Sequence, residues 1–236
     1  MLKTIGLIGG MSWESTASYY RLINEAVKAR LGGLHSAPLI LHSVDFAGIE
    51  QLQRAGDWDA AGAQLAQAAR GLQAAGAEVL LICANTMHKV APAIESAVQI
   101  PLLHVVDATT AAVRLAGVQR IGLLGTRFTM EQPFYVERLQ QQGLDVLLPD
   151  ADDRAMVHRV IYDELCQGCL LDRSRDDYRR VMAALVAEGA TGIILGCTEI
   201  ALLVDATDAT VPLFDTTELH AQAAVEWALA GGAALG

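Results

Sequence analysis

Short apolar runs alternate with longer amphipathic stretches along this chain. The apolar runs are rich in Val, Ile and Leu, and they read KTIGLIGG, PLILHSVDF, AEVLLICAN, PLLHVVD, QRIGLLGT, TGIILGCTE and VPLFD. Runs of this kind are typical of strands buried on both faces of a parallel sheet. The stretches between them predict helices at residues 14–31, 57–75, 87–97, 107–116, 130–142, 152–168, 174–188 and 217–231. This alternation predicts an α/β protein built from β-α units.

The first half of the chain is echoed, in the same order, in the second half. The matching segments are IGLIG and IGLLG, GAEVLLICANT and GATGIILGCTE, and IPLLHVVD and VPLFDTTE. Three ordered echoes at nearly the same separation favour an internal duplication. The alternative is that unrelated β-α units look alike, because buried parallel strands draw on few residue types.

The duplication predicts two similar open-sheet α/β lobes related by a pseudo-two-fold axis. We expect residues 1–103 with 212–236 to form the first lobe and residues 104–211 to form the second. Open α/β sheets bind ligands beyond the carboxyl ends of their strands. Cys83 and Cys197 follow strands at such ends, so we expect the active site in the cleft between the lobes, with one thiol from each.

Composition excludes several classes of protein. The 236 residues are 53% hydrophobic and 19% charged, as in ordinary soluble α/β proteins. The formal net charge of −10 argues against a nucleic-acid partner, which requires clustered Lys and Arg. No stretch approaches the ~18 to 20 apolar residues of a membrane span, and we interpret the N-terminal apolar run as a strand rather than a signal. We expect a cytoplasmic protein that binds a small molecule and no membrane, and whose four cysteines are reduced thiols.

Two cysteines in equivalent positions suit the inversion of a carbon centre. Inversion without a cofactor needs a base on one face and an acid on the other. Forming a cysteine thiolate at pH 7 costs roughly 2 kcal/mol, because the reference pKa is ~8.5. Cys83 precedes ANTMH and Cys197 precedes TEIALL, and both segments are predicted to open helices. Since a helix N-terminus favours the thiolate, we expect a lowered pKa for both thiols.

Polar residues follow each cysteine and can bind an amino acid. Asn85 and Thr86 in the first turn, and Thr198 and Glu199 in the second, offer donors and acceptors for its carboxylate and ammonium groups. Donors on the carboxylate stabilise the carbanion that forms when the α-proton leaves, so neither a metal nor another cofactor is required. The competing interpretation of either cysteine alone is a small hydrophobe at the end of a buried strand.

Four motifs together resemble a known family over essentially the whole chain. They are IGLIGGMSWEST near the N-terminus, CANTMHK, GTRFTMEQPFY and GCTEI. The chain resembles the aspartate/glutamate racemase family, and more closely its broad-specificity amino-acid racemase branch. The resemblance implies two α/β lobes, a two-cysteine mechanism without pyridoxal phosphate or metal, and a homodimer.

The resemblance also implies roles for residues at the matching positions. Cys83 and Cys197 become the acid/base pair. The loop and helix after PLILHSVDF become a wall for the substrate side chain, with Leu52 as its representative. The implied substrate-binding residues are Met11, Leu52, Ala84, Asn85, Thr86, Thr126, Thr198 and Glu199.

One departure from the family pattern bears on the substrate. Relatives that handle aspartate place basic residues near its side-chain carboxylate. The corresponding stretches here, DFAGIEQLQ and IYDELCQG, offer Gly48, Leu52, Glu164 and Cys166 instead. This predicts a preference for neutral or basic side chains over aspartate and glutamate, unless Arg127 turns inward.

Other interpretations remain open. A decarboxylase or a cis-trans isomerase could use similar cysteines, and a non-catalytic amino-acid-binding protein could use the same lobes. His88 could tune the Cys83 thiol, bind a metal or cap a helix. Cys166 and Cys169 form C-x-x-C without a second ligand pair, which favours chance spacing over a zinc site. GLIGGMS lacks the spacing of a dinucleotide fingerprint.

Overall fold

The structure is a computed structural model that describes residues 2–231. Within that range the chain divides into two compact units, residues 2–104 with 220–231 and residues 105–219. The lobe boundaries predicted from the sequence follow residues 103 and 211, whereas the boundaries of these units follow residues 104 and 219. In the described part of the chain, no helix combines the length and the hydropathy that a bilayer crossing requires.

The first unit contains a three-stranded parallel sheet. Its strands are β1 (Ile5–Gly9), β2 (Leu39–Ser43) and β3 (Val79–Ile82), in the order β2-β1-β3. Its helices are α1 (Trp13–Leu31), α2 (Phe46–Ala55), α3 (Trp58–Ala74), a 3-10 helix (Thr86–Val90) and α4 (Ala91–Glu95). β1 lies in the middle because IGLIG is apolar and buried along its whole length.

Side chains alternate between the two faces of this sheet, and each face has its own apolar cluster. Ile5, Leu7 and Cys83 pack on the face that also contains Tyr19 of α1. Ile8, Ile82 and other residues of β1 and β3 pack on the opposite face with α3. The two clusters cover both faces of the sheet and leave its carboxyl edge to the loops.

The second unit contains a four-stranded parallel sheet. Its strands are β4 (Arg120–Gly125), β5 (Asp145–Leu147), β6 (Ile193–Gly196) and β7 (Leu213–Asp215), in the order β5-β4-β6-β7. Its helices are α5 (Val105–Leu115), α6 (Arg127–Glu131), α7 (Pro133–Gln141), α8 (Ala151–Asp163), a 3-10 helix (Leu165–Gln167), α9 (Asp172–Ala187) and α10 (Ile200–Leu203). Helix α11 (Thr216–Leu229) begins in this unit and continues into the first, where Ala221 and Val225 pack beside β1.

The predicted α/β class with parallel strands is confirmed. The echoed segments occupy corresponding strands: IGLIG and IGLLG form β1 and β4, and the segments before Cys83 and Cys197 form β3 and β6. Their registers differ by one residue. Ile82, just before Cys83, pairs with Ile8, whereas Gly196, just before Cys197, pairs with Gly125.

Four predictions of individual elements are wrong. The helix predicted at 87–97 is divided into the 3-10 helix and the short helix α4. PLLHVVD forms no strand, because only Leu102 bridges to β3 before α5 begins at Val105. The helix predicted at 130–142 is split, because Gln132 is extended before Pro133, as residues before proline prefer to be. The helix predicted at 152–168 ends at Asp163 and is followed by a 3-10 helix. The short strand β5 is absent from the sequence prediction.

Candidate functional site

Cys83 directly follows the C-terminal end of β3 and is held by two hydrogen bonds. Its backbone N–H donates to the carbonyl of Ile8 on β1 over 2.9 Å. Its carbonyl accepts a hydrogen bond from the hydroxyl of Ser15 on α1 over 3.0 Å. The residue has 0% relative exposure. A strand and a helix therefore fix the backbone that carries this thiol.

The turn after Cys83 consists of buried residues. Ala84, Asn85 and Thr86 are all buried, and the 3-10 helix begins at Thr86. The Nδ1 atom of His88 lies 2.9 Å from the carbonyl oxygen of Ala84. Three predicted binding residues thus form one continuous, ordered turn next to the thiol.

Met11, Ala84 and Leu52 belong to the same apolar cluster of the first unit. Met11 follows β1, and Leu52 extends from α2 as a half-buried side chain. The chain turns sharply before Met11 because Gly10 has φ +93°, and the Gly10 N–H donates to the Thr16 hydroxyl over 2.8 Å. The structure therefore places these three predicted binding residues in one apolar cluster, with α2 as the helix after β2 that the resemblance implies.

Burial raises the pKa of the Cys83 thiol, so the expected lowering is wrong. A lowered pKa would require an α-helix directly after Cys83. The segment that follows is a five-residue 3-10 helix, which offers few aligned peptide dipoles. The loss of hydration at a fully buried sulfur exceeds that contribution and favours the neutral thiol over the thiolate.

Cys197 directly follows β6 and contacts a carboxylate. Its Sγ atom lies 2.9 Å from Oε2 of Glu199, and the Thr198 hydroxyl donates to the same oxygen over 2.7 Å. All three side chains are buried. Burial raises the pKa of the Cys197 thiol, and the negative charge of Glu199 raises it further. The expected lowering is wrong here also, and the resting thiol donates its proton toward Glu199.

Thr126 lies in the turn after β4, which corresponds in the second unit to the turn after β1 in the first. It caps the N-terminus of α6, and its hydroxyl accepts a hydrogen bond from the Thr129 N–H over 3.2 Å. The next residue, Arg127, has a side chain that is 58% exposed and lies 3.9 Å from Glu131. In this structure the Arg127 guanidinium therefore faces a surface carboxylate.

Glu164 and Cys166 occupy the segment between α8 and α9. The Glu164 carboxylate is buried; it accepts a hydrogen bond from the Ser174 hydroxyl and lies 3.5 Å from the guanidinium groups of Arg159 and Arg173. Cys166 is half-buried and packs against the apolar cluster that contains Cys197. Glu164 thus has local partners within its own unit. Gly48 lies on α2, with open space around its Cα.

The sequence interpretation missed two buried tyrosines near Cys197. Burial raises the pKa of both Tyr135 and Tyr178, and the charge of a Cys197 thiolate raises each further. The Tyr178 hydroxyl donates to the carbonyl of Val157 over 3.3 Å. Both residues lie on helices whose amphipathic pattern predicts only core positions, so the sequence carries no signal for their proximity to the thiol.

It also missed Asp215 at the end of β7, the strand that pairs with β6. Leu195 and Asp215 are register partners, so this carboxylate lies at the carboxyl edge of the sheet near Cys197. Burial raises the pKa of Asp215. In the third echo, Asp215 of VPLFD corresponds to His104 of IPLLH, and the sequence predicts a role for neither residue.

Residues 2–231 contain no cluster of three His, Cys, Asp or Glu side chains with the geometry of a metal site. In the C-x-x-C segment, Cys169 is exposed and Cys166 is half-buried, and neither forms a disulfide.

The family follows from comparison with known proteins. A family model described as Asp/Glu/Hydantoin racemase matches residues 8–224. The chain belongs to this racemase family. The predicted family resemblance is thereby confirmed, and family membership supports an isomerase.

Solved structures of this racemase family share the fold. A candidate Asp/Glu racemase from Yersinia pestis is 59% identical, with a TM-score of 0.90 over 97% of this chain and 100% of that one. An aspartate racemase homologue from Pyrococcus horikoshii is 33% identical, with a TM-score of 0.84 over the same shares of both chains.

A relative found by sequence covers less of the chain. A glutamate racemase of Shewanella loihica is 26% identical over 53% of this chain, and the match spans only 46% of that relative.

Proposed function

We propose that this chain is a cofactor-independent amino-acid racemase in which Cys83 and Cys197 exchange the α-proton from opposite faces of the substrate. The observation that supports this most strongly is the equivalence of the two cysteines. Each directly follows the strand that pairs with the glycine-rich strand of its own sheet, and each is a buried thiol before a turn of buried polar residues. Both thiols are sited for a ligand at the carboxyl edges of the sheets.

The proposed reaction begins with a proton shift from Cys197 to Glu199. The 2.9 Å contact between Sγ and Oε2 provides the path for that proton. The Cys197 thiolate then removes the α-proton, which forms an S–H bond and leaves the electron pair of the C–H bond on the α-carbon. The Cys83 thiol gives its proton to the opposite face, so Cys83 becomes the thiolate that reacts with the product enantiomer.

Donors in the turns stabilise the carbanion. As the α-proton leaves, its electron pair spreads into the substrate carboxylate, and fixed donors bind that charge more strongly than they bind the ground state. Asn85 and Thr86 are the proposed donors in the first turn, and the backbone N–H of Thr198 is the proposed donor in the second, since the Thr198 hydroxyl donates to Glu199. The positive α-ammonium group of the bound substrate favours a nearby thiolate, which offsets the raised pKa of each buried thiol.

We propose that neutral or basic side chains are preferred over those of aspartate and glutamate. Leu52, Gly48 and Cys166 offer no positive charge at the positions where one would pair with a substrate carboxylate. The negative charge of Glu164 would repel such a carboxylate. The Glu164 carboxylate is itself hydrogen-bonded to Ser174 and lies near two arginines. The second candidate is an aspartate or glutamate racemase, which the names of the matched relatives favour.

A substrate panel tests both proposals. Each common amino acid is incubated with the protein, and loss of optical purity is followed by chiral chromatography. We expect racemisation of neutral or basic amino acids with a higher kcat/KM than that of aspartate or glutamate. Replacing either Cys83 or Cys197 by Ser should abolish the activity, whereas Cys169→Ser, at an exposed cysteine, should leave it unchanged. Activity that survives in either of the first two variants contradicts the two-cysteine mechanism, and an acidic preference contradicts the substrate proposal.

A further inference from the structure

A group of three buried histidines lies behind the Cys83 turn. His88, His104 and His220 are all buried, with relative exposures of 2%, 7% and 0%. The His88 ring centroid lies 4.5 Å from that of His104 and 5.7 Å from that of His220. None of the three belongs to the acid/base or binding residues assigned above, so their position requires its own explanation.

The hydrogen bonds of His88 fix its tautomer. Its Nδ1 atom lies 2.9 Å from the carbonyl oxygen of Ala84, and a carbonyl only accepts, so Nδ1 carries the proton. The backbone N–H of His88 also donates to the carbonyl of Asn85 over 3.1 Å. His88 therefore binds the two carbonyls that directly follow Cys83, one through its ring and one through its backbone.

His220 connects the same group to the rest of the first unit. Its Nε2 atom donates to the carbonyl of Leu103 over 2.9 Å, and its Nδ1 atom accepts a hydrogen bond from the Tyr19 hydroxyl over 2.8 Å. Tyr19 is on α1, whose Ser15 binds the carbonyl of Cys83. The histidine group thus braces the Cys83 turn against α1, α11 and the segment at Leu103.

We propose that His88 is a positioning residue for Cys83: its neutral ring holds the Ala84 carbonyl and thereby fixes the direction in which the thiol meets the substrate. This inference rests on the proposed racemase function. Proton transfer needs closely aligned donor and acceptor atoms, and a shift of about 1 Å in a reacting group can cost a hundredfold in rate. A loosened turn would therefore slow catalysis without removing a reacting atom.

The surroundings keep this ring uncharged. Burial lowers the pKa of His88, and the neighbouring His104 and His220 lower it further. The hydrogen bonds to the carbonyls of Ala84 and Asn85 act in the opposite direction. An uncharged ring can pack within 6 Å of two other imidazoles without repulsion, which is compatible with a fixed mechanical role.

Variants of His88 that carry a side-chain amide distinguish the effect of the hydrogen bond from the effect of the imidazole ring. The side-chain nitrogen of Asn lies as many bonds from Cα as Nδ1 of His, whereas that of Gln corresponds to Nε2. His88→Asn can therefore still donate to the Ala84 carbonyl, while His88→Gln and His88→Ala cannot do so from the same place. All three variants lose the imidazole ring, so the comparison is matched for that loss.

Two measurements on these variants test the proposal. The first is the alkylation rate of Cys83 by iodoacetamide, read by peptide mass spectrometry with exposed Cys169 as the internal reference. The second is kcat and KM for the best substrate. We expect Gln and Ala to raise the alkylation rate and to lower kcat about tenfold or more, with KM little changed. Asn should restore both values to within about threefold of the wild type.

Equal behaviour of the Asn, Gln and Ala variants in both measurements would overturn the positioning role. The alkylation rate does not depend on racemase activity, so it tests His88 even if no amino acid is racemised, a result that would overturn the proposed function alone. If the Ala variant does not fold, the Asn and Gln pair still decides the question, because the two carry the same amide at different distances from Cα.

Discussion

The thiol of Cys197 and the carboxylate of Glu199 form a buried pair, with 2.9 Å between Sγ and Oε2. The Thr198 hydroxyl donates to the same oxygen and holds the carboxylate in place. The negative charge of Glu199 disfavours a thiolate at Cys197, because two negative charges at this distance repel each other. At Cys83, by contrast, burial is the cause that raises the pKa of the thiol.

Replacing Glu199 by Gln should have opposite effects on thiol ionisation and on turnover. The negative charge of Glu199 raises the pKa of the Cys197 thiol, so its removal should lower that pKa. Alkylation of Cys197 should then begin at a lower pH than in the wild type. Turnover should fall at least about tenfold, because the acceptor for the thiol proton is lost. Glu188→Gln, at an exposed position, serves as the control. An alkylation profile that stays in place or moves to higher pH would contradict the pairing.

Gly10→Ala should destabilise the first unit. Gly10 has φ +93°, and a Cβ built there would lie 2.2 Å from the carbonyl oxygen of Val44. The left-handed backbone alone costs an alanine roughly 1–2 kcal/mol, and the clash adds to it. Gly71→Ala is the matched control, since it lies within α3 and its Cβ would meet nothing within 4 Å. That change should add up to about 1 kcal/mol of stability. Denaturant unfolding of the two variants checks the contrast, and equal stabilities would refute the account of this turn.

Acid should destabilise the protein through His88. Its pKa in the folded state is lowered, so between that value and the unfolded value of about 6.5 the unfolded chain binds more protons. Stability is therefore fully present above about pH 6.5 and is lost as the pH falls. The groups that face the ring are His104, His220 and the carbonyls of Ala84 and Asn85.

The melting temperature as a function of pH measures this effect. His88→Asn should flatten the decline below about pH 6.5, because the group that takes up the proton is gone. His35→Asn, at an exposed histidine, should leave the profile of the wild type unchanged. A profile that is as steep in His88→Asn as in the wild type would show that other groups control the acid sensitivity.

The apolar runs predicted the central strands correctly, because a strand buried on both faces has a distinctive composition. β1 and β4 are buried at nearly every position and contain the echoed IGLIG and IGLLG. β5 is different: Asp145 is exposed, and the strand is three residues long, so it produces no such run. Leu102 pairs with β3 only as a single bridge, which depends on where α5 starts rather than on composition.

The polar environment of each thiol could not be predicted, because it depends on burial and on residues distant in sequence. The position before a helix suggested lowered pKa values, whereas desolvation raises both. Glu199 is only two residues from Cys197, so the sequence predicts a polar turn next to this thiol. The contact of His88 with His104 and His220 joins three separate segments, and only the fold brings them together. The echoed segments also do not predict that the strands before the two cysteines differ in register by one residue.

The isotopic composition of product and recovered substrate tests the two-cysteine mechanism most directly. A single enantiomer of the best substrate is incubated in D₂O, and both enantiomers are isolated early and analysed by mass spectrometry. If one thiol removes the α-proton and the other supplies a solvent-derived deuteron, deuterium appears in the product and is absent from the recovered substrate. Deuterium entering both enantiomers at equal rates would show that a single base exchanges the proton, and would contradict the paired roles of Cys83 and Cys197.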